Sequence, residues 1–116
     1  MTIGLIVLGI LLAAAAAGSG VAKLAKVPAV MESMSAVGVR PQQIPVLAVL
    51  EIAGAIGLLL GIWSKPLGVA AAACLALYFL GAVISHIRKG HGVAEFGPAA
   101  AIFAIAASVA VMEIGR

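Results

Sequence analysis

Five residues able to do acid–base or hydrogen-bond chemistry stand inside otherwise apolar sequence: Lys23, Glu51, Tyr78, Ser85 and His86. Glu51 is the most informative. It lies seven residues into an apolar run that opens near Ile44. At 1.5 Å per residue, that is roughly 10 Å below a membrane surface if the run spans a bilayer. An ionisable group at such depth is costly and by default marks a functional or a pairing position. Its carboxyl can be protonated or can pair with a base. Tyr78, Gly81 and Ser85 recur at i, i+3 and i+7 and so share one helix face. A carboxylate, a lysine, a histidine and a tyrosine around one bundle end can bind a polar headgroup or a quinone ring. The same set can equally be an internal salt-bridge cluster that fixes helix packing. Both readings stay open on the sequence.

The elements that must position these residues are four apolar segments. They run over about 2–22, 44–63, 66–87 and 98–114, each long enough to cross a hydrocarbon core of about 30 Å. The apolar residues are continuous and do not alternate, which excludes barrel strands. Pro45, Pro66 and Pro98 stand near the starts of three segments, where a missing N–H costs least. The fourth segment, at about 17 residues, is short for a span and implies a nearly upright crossing or a thinned bilayer. Alternating crossings bring the end of the first helix, the start of the second and the end of the third to one membrane face. Lys23, Glu51, Ser85 and His86 then gather near one level, with Tyr78 about two turns deeper than Ser85. The expected fold is all-α: an integral membrane four-helix bundle formed as one domain over residues 1–116.

Composition agrees. The chain has 116 residues, of which 65% are hydrophobic and 9% charged, with a mean hydropathy of +1.29. Soluble domains carry about 25% charged residues, so most of this surface must face lipid. The net charge of +3 does not point to nucleic acid, because the basic residues are scattered singly or in pairs beside apolar runs. That placement fits phosphate headgroups and the positive-inside rule. Lys23, Lys26, Arg40, Arg88 and Lys89 fall in the first and third loops, against Lys65 and Arg116 opposite, which places those loops in the cytoplasm of a multi-pass cell-membrane protein. No basic residue precedes the first apolar run, so it reads as a retained helix and not a signal peptide.

Between the first two spans, Val27, Val30, Met31, Met34 and Val37 recur at helical spacing among polar residues, with Pro28 to open and Gly38 to close a short helix. Such an amphipathic piece lies in the interface plane or caps the bundle end. Ala53, Gly57 and Gly61 form two small-xxx-small steps on the second span, and Gly68, Ala72 and Ala76 do so on the third, a spacing that lets helix backbones approach closely. Gly18 and Gly20 lie in an apolar helix and read as packing too. Cys74 is the one cysteine, which excludes an internal disulfide or a CxxC pair, and it reads as a small packing residue. His86 and His91 with Glu95 match no strong zinc spacing, so no metal is expected. Glu113 and Arg116, three apart, read as a solvated end pair. No P-loop, dinucleotide fingerprint or nucleophile elbow is present, and the chain is not expected to be an enzyme on its own.

Three stretches together resemble the DoxX-like family of four-helix membrane proteins. They are Gly20-Val-Ala-Lys-Leu24, then Glu51-Ile-Ala-Gly-Ala-Ile-Gly-Leu-Leu-Leu-Gly61, and finally Gly81-Ala-Val-Ile-Ser-His86-Ile-Arg. Glu-x-x-Gly-x-x-x-Leu-x-x-Gly is the most specific part. The resemblance implies the four-helix architecture, and Lys23, Glu51 and His86 match recurring polar positions of the family. Members of this broad group are linked to quinone-dependent sulfur oxidation, to membrane complexes handling oxidative stress and to receptor assembly. The expected role is therefore an accessory or assembly subunit of a redox, respiratory or stress-related membrane complex, with other membrane subunits or a second copy as partners. The alternative is a subunit contributing to a quinone, lipid-headgroup or proton site through Glu51 and His86. A further alternative is a small multidrug-type transporter acting as a dimer, against which stands the 4% aromatic content. The Ala- and Gly-rich composition suggests a GC-rich bacterial genome.

Overall fold

The computed structural model describes residues 3–36, 38–90 and 93–116, and for 93–96 the backbone alone. Five α-helices make up the described chain: α1 (Ile3–Leu24), α2 (Pro28–Ala36), α3 (Ile44–Leu60), α4 (Lys65–Arg88) and α5 (Val93–Ile114). A 3-10 turn over Pro41–Gln43 leads into α3. Four of the helices are long and apolar enough to cross a membrane. The 22 residues of α1 alone reach about 33 Å at 1.5 Å per residue.

The four long helices close into an antiparallel ring. α1 packs on α3, α3 on α4, α4 on α5, and α5 returns to α1. Each neighbour runs opposite to the last, which short connections require. The core is built from Leu5, Leu12 and Ala16 of α1, Ala55 and Leu58 of α3, Ala72, Leu75 and Phe79 of α4, and Ala106 and Val109 of α5. Outside it the surface stays apolar. Val46, Leu50, Leu77 and Val111 are each more than half exposed, and no more than 28% of the most apolar window of any span is buried within the chain. Such a surface is stable only against hydrocarbon. The chain is a multi-pass membrane protein.

The helix stops explain how the polar end is built. After α1 the amide of Lys26 reaches the Lys23 carbonyl and that of Val27 reaches the Ala22 carbonyl, the paired bonds of a Schellman stop. Lys26 takes the left-handed conformation this needs, at φ 56°. For a residue with a Cβ that costs roughly 1–2 kcal/mol, and it turns the chain back over the bundle end. Gly38 does the same after α2 at φ 84°, with Gly38 and Val39 amides returning to Ser35 and Met34. α2 lies as a cap: Ala29, Val30, Ser33 and Met34 face inward over the bundle, although none of its residues is fully buried. Val37, expected on the same face, lies outside the described residues.

Several expectations are corrected. The helix α5 starts earlier than expected, at Val93, so that Pro98 lies within it, while the membrane-spanning part, Gly97–Ile114, has 18 residues, close to the roughly 17 expected. A proline in the second turn removes one backbone bond without ending a membrane helix. Ala53 faces outward and so does not pack against another helix of the same chain. The inward face of α3 is set by Gly54, Gly57 and Gly61: an added Cβ would lie 2.7 Å from Leu75 Cδ2 at Gly54, 3.0 Å from Ala71 Cβ at Gly57 and 2.5 Å from Gly68 Cα at Gly61. Gly20 packs in this way against Ile52 and the Ala48 carbonyl, whereas Gly18 faces open space. Cys74 is exposed and faces out of the bundle.

Candidate functional site

Ser19 and Lys23 stand four residues apart on α1 and therefore project from one face, towards α3. Glu51 meets them there. Lys23 Nζ donates to Glu51 Oε1 at 3.1 Å and Oε2 at 3.0 Å, and to Ser19 Oγ at 2.8 Å. Ser19 in turn donates to Glu51 Oε1 at 3.0 Å. All three ammonium protons are thereby used. The pair is closed off: Lys23 is 5% exposed and Glu51 is 0%. Among the described residues no buried side-chain nitrogen or oxygen lacks a partner, as a buried charge requires. The Tyr78 hydroxyl is directed at the Glu51 carboxylate from α4.

The cluster forms one wall of a cavity of about 330 Å³, within the size range of small-molecule sites of roughly 300–1,000 Å³. Every helix contributes to it: Ser19 and Lys23 from α1, Ser33 and Met34 from α2, Glu51 from α3, Tyr78, Phe79 and His86 from α4, and Ile102 from α5. Tyr78 and Phe79 meet edge to face, with ring centroids 5.0 Å apart at 71°. His86 is buried at 7% exposure. A second cavity of about 350 Å³ adjoins the first, sharing Met34, Tyr78, Ala82 and His86 with it.

Four of the five expected site residues thus converge on one cavity: Lys23, Glu51, Tyr78 and His86. Ser85 does not join them. It lines the second cavity, with Tyr78, Gly81 and His86, and its hydroxyl donates to the Gly81 carbonyl at 2.8 Å. Ser19, which completes the Lys23–Glu51 cluster, was not expected; its signal was the four-residue step to Lys23. His91 and the Glu95 side chain lie outside the described residues. At the opposite end Glu113 pairs with Arg116 at 2.9 Å, but the pair is not solvated. Glu113 is 2% exposed, and Arg116 also donates to the Gly61 carbonyl at 2.6 Å and the Ile62 carbonyl at 3.1 Å. The close approach of the Gly61 and Gly68 backbones makes room for this, since a Cβ on Gly68 would sit 2.5 Å from Glu113 Oε2.

What the arrangement can do chemically follows from its parts. A neutralised ion pair, an imidazole, a phenol and two aromatic faces can hydrogen-bond and stack a polar ring-sized group. Nothing in the set is an activated nucleophile.

No curated protein and no solved structure matches the chain. A family model described as the DoxX-like family matches residues 7–110. That stretch holds the Lys23–Glu51 pair, Tyr78 and His86 and nearly all of the four spans. The chain belongs to the DoxX-like family.

Proposed function

We propose that the chain is a membrane-embedded binding subunit whose polar cavity receives the head group of a membrane amphiphile, a quinone ring or a lipid headgroup, without catalysing a reaction alone. One observation carries this reading. Beside the closed Lys23–Glu51 pair, a pocket of about 330 Å³ is lined by Ser33, Met34, Tyr78, Phe79 and His86, and every helix contributes to it. Helices in lipid gain no hydrophobic energy by closing such a space.

The test uses His86 as a reporter. Titration of a His91→Asn variant in nanodiscs with a short-chain quinone or a lysolipid should move the one remaining imidazole resonance saturably. No movement with either compound refutes the reading.

The accessory-subunit reading is favoured by a different observation. α5 turns Ala101, Ala104 and Ser108 outward, where α3 and α4 turn out Val46, Leu50 and Leu77. Small outward residues let a neighbouring helix approach closely. Copurification of large membrane subunits that is lost on Ala104→Leu supports it, and recovery of the bare chain in mild detergent counts against it. The two readings are compatible, since a binding subunit can sit within a larger complex.

A further inference from the structure

A separate cavity of about 280 Å³ lies where α1 ends and α3 begins, and it shares only Lys23 with the polar cavity. Leu24 closes the first span and Pro41 opens the second, so the cavity stands at headgroup depth. Its walls are apolar (Leu24, Met31, Ile44 and the prolines 41 and 45), and its charge comes from Lys23 and Lys26. Among the described residues no carboxylate lines it. The Lys23 ammonium is spent on Glu51 and Ser19. The one uncompensated charge on the wall is therefore that of Lys26, which is exposed and has no ion-pair partner among the described residues. Arg40, Arg88 and Lys89 stand exposed at the same end of the bundle, with Glu32 as the one described acid to oppose them.

The backbone supplies a second observation. Lys26 holds the left-handed position of the Schellman stop at φ 56°, where glycine is the common residue and would close the turn without strain. The chain thus carries a positive charge at a position that folding alone would give to glycine. An anion fits this wall, and the apolar remainder of the cavity selects its kind. A free phosphate would exchange its hydration for one ammonium and five apolar side chains. The phosphate of a lipid already lies at this depth, and its glycerol can rest against Leu24, Ile44 and Pro45.

We propose that this cavity is a site for an anionic phospholipid, with Lys26 as the cation that holds its phosphate. The inference stands apart from the head-group reading above, because the two cavities share only a lysine whose charge is already neutralised.

Lys26→Gly removes the charge and relaxes the turn, so the variant should fold at least as stably as the wild type. Lys26→Gln removes the charge and leaves the backbone as it is. Native mass spectrometry of the chain released from nanodiscs of phosphatidylglycerol and phosphatidylcholine in equal parts reads the ratio of the two lipids retained. The wild type should retain phosphatidylglycerol in preference. Both variants should lower that preference about fivefold, the worth of one lysine at a membrane surface. Lys26→Arg should keep it, and so should Lys89→Gln, which removes a cation of the same end outside the cavity. A wild type without the preference, or a Lys26→Gly that retains it, overturns the site. An equal loss in Lys89→Gln also overturns it, since the attraction then belongs to the basic end as a whole. Displacement of the retained lipid by excess glycerol 3-phosphate overturns the lipid and assigns the cavity to a soluble phosphate.

Discussion

Removing one partner of the Lys23–Glu51 pair should be far more damaging than removing both. Two unit charges 3.0 Å apart attract by about 5.5 kcal/mol at an effective dielectric of about 20. Lys23→Met leaves Glu51 with the Ser19 hydroxyl as a hydrogen-bond donor but no counter-charge, inside a core where it is fully buried. The expected loss is about 3–5 kcal/mol, the usual result of orphaning a buried charge. Glu51→Gln alone orphans the ammonium and should lose a similar amount. The double variant Lys23→Met/Glu51→Gln removes both charges, keeps the volume and leaves Ser19 an amide partner. It should lose only about 1–2 kcal/mol. The coupling energy should therefore be at least about 4 kcal/mol. Reversible unfolding in mixed micelles, titrated with dodecyl sulfate and followed by circular dichroism, measures all four corners of the cycle. Additive effects, with coupling below about 0.5 kcal/mol, would mean that the charges do not depend on each other and that the buried pair is not what holds α1 to α3.

Three further outcomes separate the observed packing from its alternatives. Gly61→Ala places a methyl group 2.5 Å from Gly68 Cα and should lose about 1–3 kcal/mol in the same unfolding assay, whereas Ala53→Leu, which faces outward, should stay within about 0.5 kcal/mol of wild type. Arg116→Met should lose about 3–5 kcal/mol, because it strips Glu113 and two carbonyls of their donor; an exposed i,i+3 pair would lose only about 0.2–0.5 kcal/mol. Trp63, 81% exposed at the end of α3, should sit at headgroup depth and be quenched most by lipids brominated near the carbonyl; strongest quenching by deep bromines would contradict the span assigned to α3.

Element type and number were legible because lipid demands long unbroken apolar runs, and the breaks at Lys23–Lys26, Arg40–Pro41, Ser64–Lys65 and Arg88–Lys89 are plain. The end at which Lys23, Glu51 and His86 meet was legible too, since alternating crossings fix which helix ends share a face. Rotation of each helix was not. In water an apolar stripe marks the inward face, but here Val46 faces out and Ala48 in, and both are apolar. For the same reason the sequence does not separate Gly54, which faces α4, from Ala53, which faces out, nor does it show that Cys74 points away from the bundle. Ser19 looked like one more small residue in an Ala- and Gly-rich helix, and only the third dimension turns its hydroxyl to Glu51. Glu113 looked solvated because it stands three residues from the last position. The Gly61–Gly68 approach and the folding back of Arg116 over the α3–α4 turn bury it, and neither is a local property of the sequence.

The central claim is that the cavity beside Lys23 and Glu51 holds the head of a membrane amphiphile. Its most direct test is native mass spectrometry of the chain, purified from its own membranes and released from nanodiscs. The account predicts a retained amphiphile that is absent from the folded Lys23→Met/Glu51→Gln variant. A bare wild-type chain, or one recovered with partner subunits and no small molecule, would contradict it.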